Sequence, residues 1–158
     1  MKEFDYRLPY KKLDFAEKSI RQLYRIGRGE QGVLLVRPYT DDICKHWKFK
    51  TPKIAEKSAQ KIYEMYADYR VKNDFIGMDM CRKFLEMGFT RARRYANHKD
   101  GKKYNNDGTV KPQEKDWATS DKAKSATIFK TYRDIVAKDS KYKAMRKHWR
   151  EFENTIGV

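Results

Sequence analysis

DFIGMDMCRKFLEMGFTRARRYANHK, residues 74–99, decides how the chain folds. At 100° per residue, Met78, Cys81, Leu85, Phe89, Ala92 and Ala96 fall on one side, with Phe84 and Tyr95 along a flank, so the segment reads as one long amphipathic helix. Asp74 stands where an N-cap belongs. Gly77, Cys81, Gly88 and Ala92 form a track of small residues within the apolar side. Glycine in a helix interior costs about 1 kcal/mol relative to alanine. Two of them therefore imply either the close approach of another backbone or a break at Gly88.

Helices extend outward from this one in both directions. Upstream, Thr51 and Pro52 form an N-cap and first helical residue. From there to about Lys72, the residues Ala55, Ala59, Ile62, Tyr66 and Tyr69 recur in steps of four and three as a buried stripe. Earlier still, Asp14 is expected to cap a short helix ending near Tyr24, and TDDICKHW at 40–47 reads as a short helix or turn. Downstream, Ser120 to Lys138 turns Ala126, Phe129, Tyr132 and Val136 inward, and Ser140 to Ile156 does the same with Tyr142, Met145, Trp149 and Phe152. The predicted fold is mainly α: one compact domain over 1–158, of about five helices, with a small β element in VLLV at 33–36. Residues 100–118, with turn signals at Asp100-Gly101 and Asn105 to Gly108, read as a loop or a short hairpin.

RIGRGEQGVLLV, residues 25–36, carries the Gly27-x-Gly29-x-x-Gly32 spacing of a phosphate-cradling loop. A dinucleotide fingerprint needs a strand before the glycines and a helix after them. Here the order is reversed, with FAEKSIRQLY before and VLLV after. The glycines thus read as turn residues, and interest moves to Arg25, Arg28 and Glu30 between them. Arg28 could reach the polar face of the central helix, or Glu30 could pair with one of its arginines.

Charge points to the partner. Lys and Arg number 37 against 22 Asp and Glu, a formal excess of +15. Such an excess favours polyanions, with nucleic acid first and an acidic protein surface second. Two cysteines, no apolar signal-like start and no apolar run near the roughly 18 residues of a membrane span suggest a cytoplasmic protein that stays off membranes. Cys44 and His46 lack a second Cys/His pair, so no metal and no cofactor are expected. Oligomeric state is not legible.

The excess concentrates on the polar side of the 74–99 helix, where Lys83, Thr90, Arg91, Arg94, Asn97 and His98 share a sector of about 120°. Arg91, Arg94 and His98 are spaced i, i+3, i+7, and Lys99, Lys102 and Lys103 continue the charge beyond the helix. Between Thr90 and Lys103 there are six Lys or Arg and one acid. RARR favours arginine in a lysine-rich chain, and arginine's planar fork matches phosphate. A merely solvated charged face is the alternative reading. His46-Trp47-Lys48-Phe49-Lys50 is likewise either core aromatics or a stacking platform.

In YRIGRGEQG and GFTRARRYANHK, and more broadly from about Asp5 to Tyr104, the chain resembles an uncharacterised family of small basic proteins of bacteria, their phages and fungi. The resemblance implies a compact cytoplasmic domain and marks Arg25, Arg28, Glu30, Arg91, Arg93, Arg94, Asn97 and His98 as motif positions. It supplies no reaction. The expected function is non-enzymatic binding of DNA or RNA through Arg28, Lys83, Arg91, Arg93, Arg94, Asn97, His98, Lys99, Lys102 and Lys103. Two alternatives stand beside it: a nuclease-like or phosphotransferase-like enzyme with His98 as base and Arg91 and Arg94 as clamp, and a regulator docking on an acidic protein.

Overall fold

The computed structural model describes residues 3–156; residues 1, 2, 157 and 158, part of the expected 1–158 unit, lie outside that range. After a 3-10 turn at Tyr10–Lys12 come α1 (Lys18–Arg21), α2 (Tyr39–Cys44), α3 (Pro52–Val71), α4 (Phe75–Asn97), α5 (Asp121–Lys138) and α6 (Ser140–Ile156). The long helices start where their capping residues dictate. Thr51 accepts from the Ile54 amide, Asp74 from Gly77 and Ser120 from Ala123, each at 3.2 Å. Such caps contribute about 1 kcal/mol apiece. Asp14 does not cap α1: it accepts from the Ala16 amide in a turn upstream, and the residue before α1 is Glu17, which makes no side-chain cap.

Helix α4 is the axis of the molecule. Every residue from Phe75 to Leu85 is buried, because α3 and α5 pack along it and α2 and α6 close other sides. The helix runs unbroken through Gly88. Its small-residue track admits aromatic rings, not another backbone. A Cβ on Gly77 would lie 2.4 Å from the Tyr69 ring of α3, and one on Gly88 2.4 Å from the Phe129 ring of α5. Between α5 and α6, Asp139 accepts from the Tyr66 hydroxyl at 2.6 Å and from Arg70 at 2.7 Å, tying the last hairpin back to α3.

The expected strand at 33–36 is not formed; among the described residues the only β pairing is an isolated bridge between Tyr104 and Val110. VLLV lies in successive turns instead, with the Val33 amide bonded to the Glu30 carbonyl and the Leu35 amide to the Gly32 carbonyl. Val33 and Val36 are buried while Leu34 is exposed, a three-residue rhythm that suits turns rather than strand alternation. With no neighbouring strand to pair its backbone, an apolar run of four has no ladder to join. The Tyr104–Val110 bridge, closed by amide bonds from Asn105 to Thr109 and from Lys111 to Lys103, makes a short hairpin within residues 100–118.

The seat at Gly88 is testable. Alanine there gains about 1 kcal/mol of helix propensity but overpacks Phe129, a cost of about 1–3 kcal/mol. Gly88→Ala should therefore lower the urea midpoint, and adding Phe129→Leu should restore part of the loss; a Gly88→Ala protein more stable than the parent would contradict the packing.

Candidate nucleic-acid interface

The polar sector drawn on the helix wheel divides in two when folded. Its first member, Lys83, is interior, beside the buried Asp79. Asp79 is fully buried and accepts from the hydroxyls of Tyr24 and Tyr142 and from Arg82 Nε at 2.7 Å. Burial opposes its charge, yet Arg82 and Lys83 beside it hold the carboxyl well below the usual range. Burial, joined by the Asp79 charge, pushes both tyrosine hydroxyls far up, so they remain donors to it.

Lys83 therefore lies off the expected binding face. Its side chain is wholly enclosed, with Nζ about 5 Å from the Phe4 and Tyr24 ring centroids. Wheel projection placed it outside because it assumes that charge faces solvent; here the 25–33 segment covers that side of α4. Lys83 Nζ donates to the carbonyls of Gln31 at 2.6 Å and Arg25 at 3.4 Å, Arg82 Nη1 to Gly29 at 3.0 Å, and Arg150 Nη2 to Gly27 at 2.7 Å. The glycine loop thus turns alternate carbonyls, at 25, 27, 29 and 31, toward cations.

Its amides are spent elsewhere. Ile26 donates to Glu153 at 2.9 Å, Arg28 to the Gln31 side chain at 2.8 Å and Gly32 to the Tyr6 hydroxyl at 3.2 Å. A phosphate cradle needs converging N–H groups, and this loop has the opposite polarity. Gly32, at φ +77°, is irreplaceable for a second reason, since a Cβ would lie 2.3 Å from the Phe4 ring. Arg28 does not reach α4; its guanidinium lies 3.5 Å from Glu3. Glu30 does reach it, accepting from the Thr90 hydroxyl at 2.6 Å rather than pairing with an arginine.

The second half of the sector forms a groove of about 670 Å³ between the end of α4 and the hairpin, lined by Thr90, Arg93, Arg94, Asn97, His98, Lys103, Lys111 and Gln113, with Phe89 and Val110 as its apolar part. No carboxylate lines it. Several lining residues act as struts. Asn97 accepts through its side-chain oxygen from Arg93 at 3.3 Å and Gln113 at 3.1 Å, and its carbonyl accepts from the Glu114 amide at 2.8 Å. Arg93 also donates to the Trp117 carbonyl, with its guanidinium 5.8 Å from that ring. Lys111 is paired with Asp100 at 2.5 Å. Arg94 and Lys103 are exposed, and no described carboxylate pairs with either. Lys99 and Lys102 are exposed beside them.

The i, i+3, i+7 column of Arg91, Arg94 and His98 is not kept. The helix ends at Asn97, and His98 departs as its C-cap with φ −140° and ψ 117°. His98 lines the groove but is only 9% exposed, and its Nδ1 is buried without a hydrogen-bond partner. Arg91 does not line the groove; its Nε is buried, also without a partner. The sequence marks Arg93 and Asn97 as candidate nucleic-acid contacts and does not single out Gln113; the use of all three as struts depends on where the hairpin returns.

A second concave basic surface lies between the end of α2 and α3, lined by Lys45, His46, Lys48, Lys57 and Lys61, with Glu64 as its one acid. Desolvation and the charges of Lys61, Lys45 and Lys48 push His46 down. Trp47 and Phe49 are not a stacking platform here. The Trp47 indole donates to the Phe84 carbonyl at 3.0 Å, and the two rings pack together, against Phe84 and Tyr95. Among the described residues, no three His, Cys, Asp or Glu side chains are grouped to hold a metal ion, and no helix is long and apolar enough to cross a membrane.

Residues 5–152 match the family described as a domain of unknown function, DUF4385, and the chain belongs to that family. No curated protein and no solved structure matches it.

The buried lysine predicts a pH signature. Burial pushes Lys83 down to about 7, against about 10.4 in an unfolded chain. Between those values the unfolded chain holds the proton and the native chain has released it, so native stability rises with pH. The Cys81 thiol, pushed up by burial, acts in the opposite sense from about pH 8.5. Comparison with Lys83→Met isolates the lysine: the difference in urea midpoint should move in favour of the parent between pH 7 and about pH 9, and a constant difference would show that Lys83 keeps its proton throughout.

Proposed function

We propose that this member of the DUF4385 family binds nucleic acid along the groove between the end of α4 and the hairpin, without catalysing a reaction. One observation carries the reading: a concave surface that gathers Arg93, Arg94, His98 and Lys103 without any carboxylate in its lining, with Lys111 at its edge paired to Asp100 outside it, on a protein of net charge +15. An ordinary solvated basic face would be expected to interleave acids with its cations. Arg94 and Lys103 serve as phosphate contacts, Lys99 and Lys102 as sources of longer-range attraction, and Thr90 and His98 as groups within reach of sugar or base. Arg93 and Asn97 hold the groove's shape.

The enzymatic reading has less support. His98 shares the groove with Arg94, but Arg91 is outside it. Asp100 and Glu114 line a second hollow with His98, yet Asp100 is paired with Lys111, Glu114 accepts from the Lys99 amide, and His98 Nδ1 has no hydrogen-bond partner to orient the imidazole.

Electrostatic binding is read by salt. Fluorescence anisotropy with labelled oligonucleotides should show binding at about 50 mM salt and a linear fall of log K with log salt, with a slope of about −0.7 to −0.9 per phosphate neutralised. Arg94→Ala and Lys103→Ala should each weaken binding and flatten that slope by about one contact's worth. Absence of binding to duplex DNA, single-stranded DNA and RNA alike would overturn the proposal, and a stable protein complex surviving nuclease treatment would replace it with the acidic-partner alternative. Turnover of a phosphate ester that is lost in His98→Ala would restore the enzymatic reading.

A further inference from the structure

Accepting the groove as a phosphodiester site, we infer that its ligand is a single strand of nucleic acid, whose bases stack on Tyr104 and Trp117 while Arg94 and Lys103 contact the backbone. The inference goes beyond the charge reading, because it rests on exposed aromatic surface.

Among the described residues the strongly exposed aromatic side chains are Tyr6, Tyr95, Tyr104 and Trp117. Three of the four lie on the end of α4 or on the segment that walls the groove. Tyr95 is partly used, since its ring meets Gly101 and lies 6.3 Å from that of Phe49. Tyr104 and Trp117, 55% and 44% exposed, have no aromatic neighbour among the described residues. Each instead stands beside a cation that lines the groove: Lys103 Nζ is 5.6 Å from the Tyr104 centroid, and the Arg93 guanidinium is 5.8 Å from that of Trp117. The two rings flank the groove rather than line it, and exposed aromatic faces beside the cations of a basic groove are the means by which proteins hold single strands, the cations following the backbone and the rings taking the bases.

Both rings are placed by backbone bonds and not left to float. The Lys111 amide donates to the Lys103 carbonyl at 2.8 Å and the Asn105 amide to the Thr109 carbonyl at 2.8 Å, which fixes Tyr104 on the hairpin. The Trp117 amide donates to the Glu114 carbonyl at 3.2 Å, and Glu114 is anchored to Asn97 and Lys99. Shape argues against a duplex. Major-groove readers insert a protruding helix into a channel about 12 Å wide. Here the last turns of α4 are bridged to Gln113 and Trp117 through Asn97 and Arg93 and form one wall of a concave groove, which is not the form of a freely protruding reading helix.

The test compares labelled oligothymidylate and oligouridylate of about 15 nucleotides with a duplex of equal length at about 50 mM salt, a size within the range of a single stacking surface. Single strands should bind at least ten-fold more tightly than the duplex and quench tryptophan fluorescence, and the quench should be lost in Trp117→Phe. Tyr104→Ala and Trp117→Ala should each weaken single-strand binding about ten-fold or more with an unchanged salt slope, while Trp117→Phe retains most of the affinity. Both substitutions are at exposed positions, and an unchanged melting temperature checks the fold. Comparison of the two oligomers separates DNA from RNA as the source of the strand. Equal or tighter duplex binding, or alanine variants that bind single strands like the parent, would overturn stacking while leaving the groove reading intact. If no oligonucleotide binds, both fall.

Discussion

A carboxylate buried at Asp79 is the constraint around which the rest of the protein is arranged. An ion taken out of water costs several kcal/mol unless partners replace its hydration. Asp79 receives them from three directions: Arg82 on its own helix, Tyr24 ahead of the glycine loop and Tyr142 on α6. The cations this requires must be satisfied in turn, and Arg82 and Lys83 find their remaining acceptors in the loop carbonyls. Charge satisfaction at one residue of α4 thereby sets the path of a loop some 50 positions earlier in the chain and the seat of a helix some 60 positions later. Glu153 and Arg150 complete the same circuit at the loop's other edge.

The groove-side wall is built on another principle. No residue from Lys99 to Lys122 is buried, so this segment is held by turn bonds, the Asp100–Lys111 pair and the struts to Asn97 and Arg93. Segments with few buried apolar contacts open at far lower free energy than the core. The protein therefore sets a helical floor buried in the core beside a wall whose shape rests on hydrogen bonds and one ion pair.

Much of this was legible in the chain, and where reading stopped the physical reason is plain. Thr51 and Asp74 announced α3 and α4 because a cap is a local interaction, complete within four residues. The apolar periods of α3, α4 and α5 located their inward faces for the same reason. Lys83 misled because helix-wheel reasoning sends charge to solvent, and nothing local says that residues 25–33 will fold over it. Val33 to Val36 misled because an apolar β-branched run says only that something is buried, while a strand also requires a neighbour to pair with. His98 continued the arithmetic of the helix but not its backbone, and the groove's struts depend on a hairpin return that no spacing encodes. Arg94 and Lys103 were read correctly as exposed cations on one side, whereas Arg28 and Arg91 face other surroundings.

Helix α4 is enclosed over its first turns and borders a groove over its last. Asp79 and Arg94 are about 22 Å apart along its axis at 1.5 Å per residue, well beyond the separation of about 10 Å at which substitutions cease to influence one another. Changes at the two ends should consequently combine additively. Residues bordering the groove can therefore be exchanged without disturbing the buried charge network around Asp79. One continuous helix thus carries two mechanically independent ends, the first set by charge burial and the second by surface chemistry.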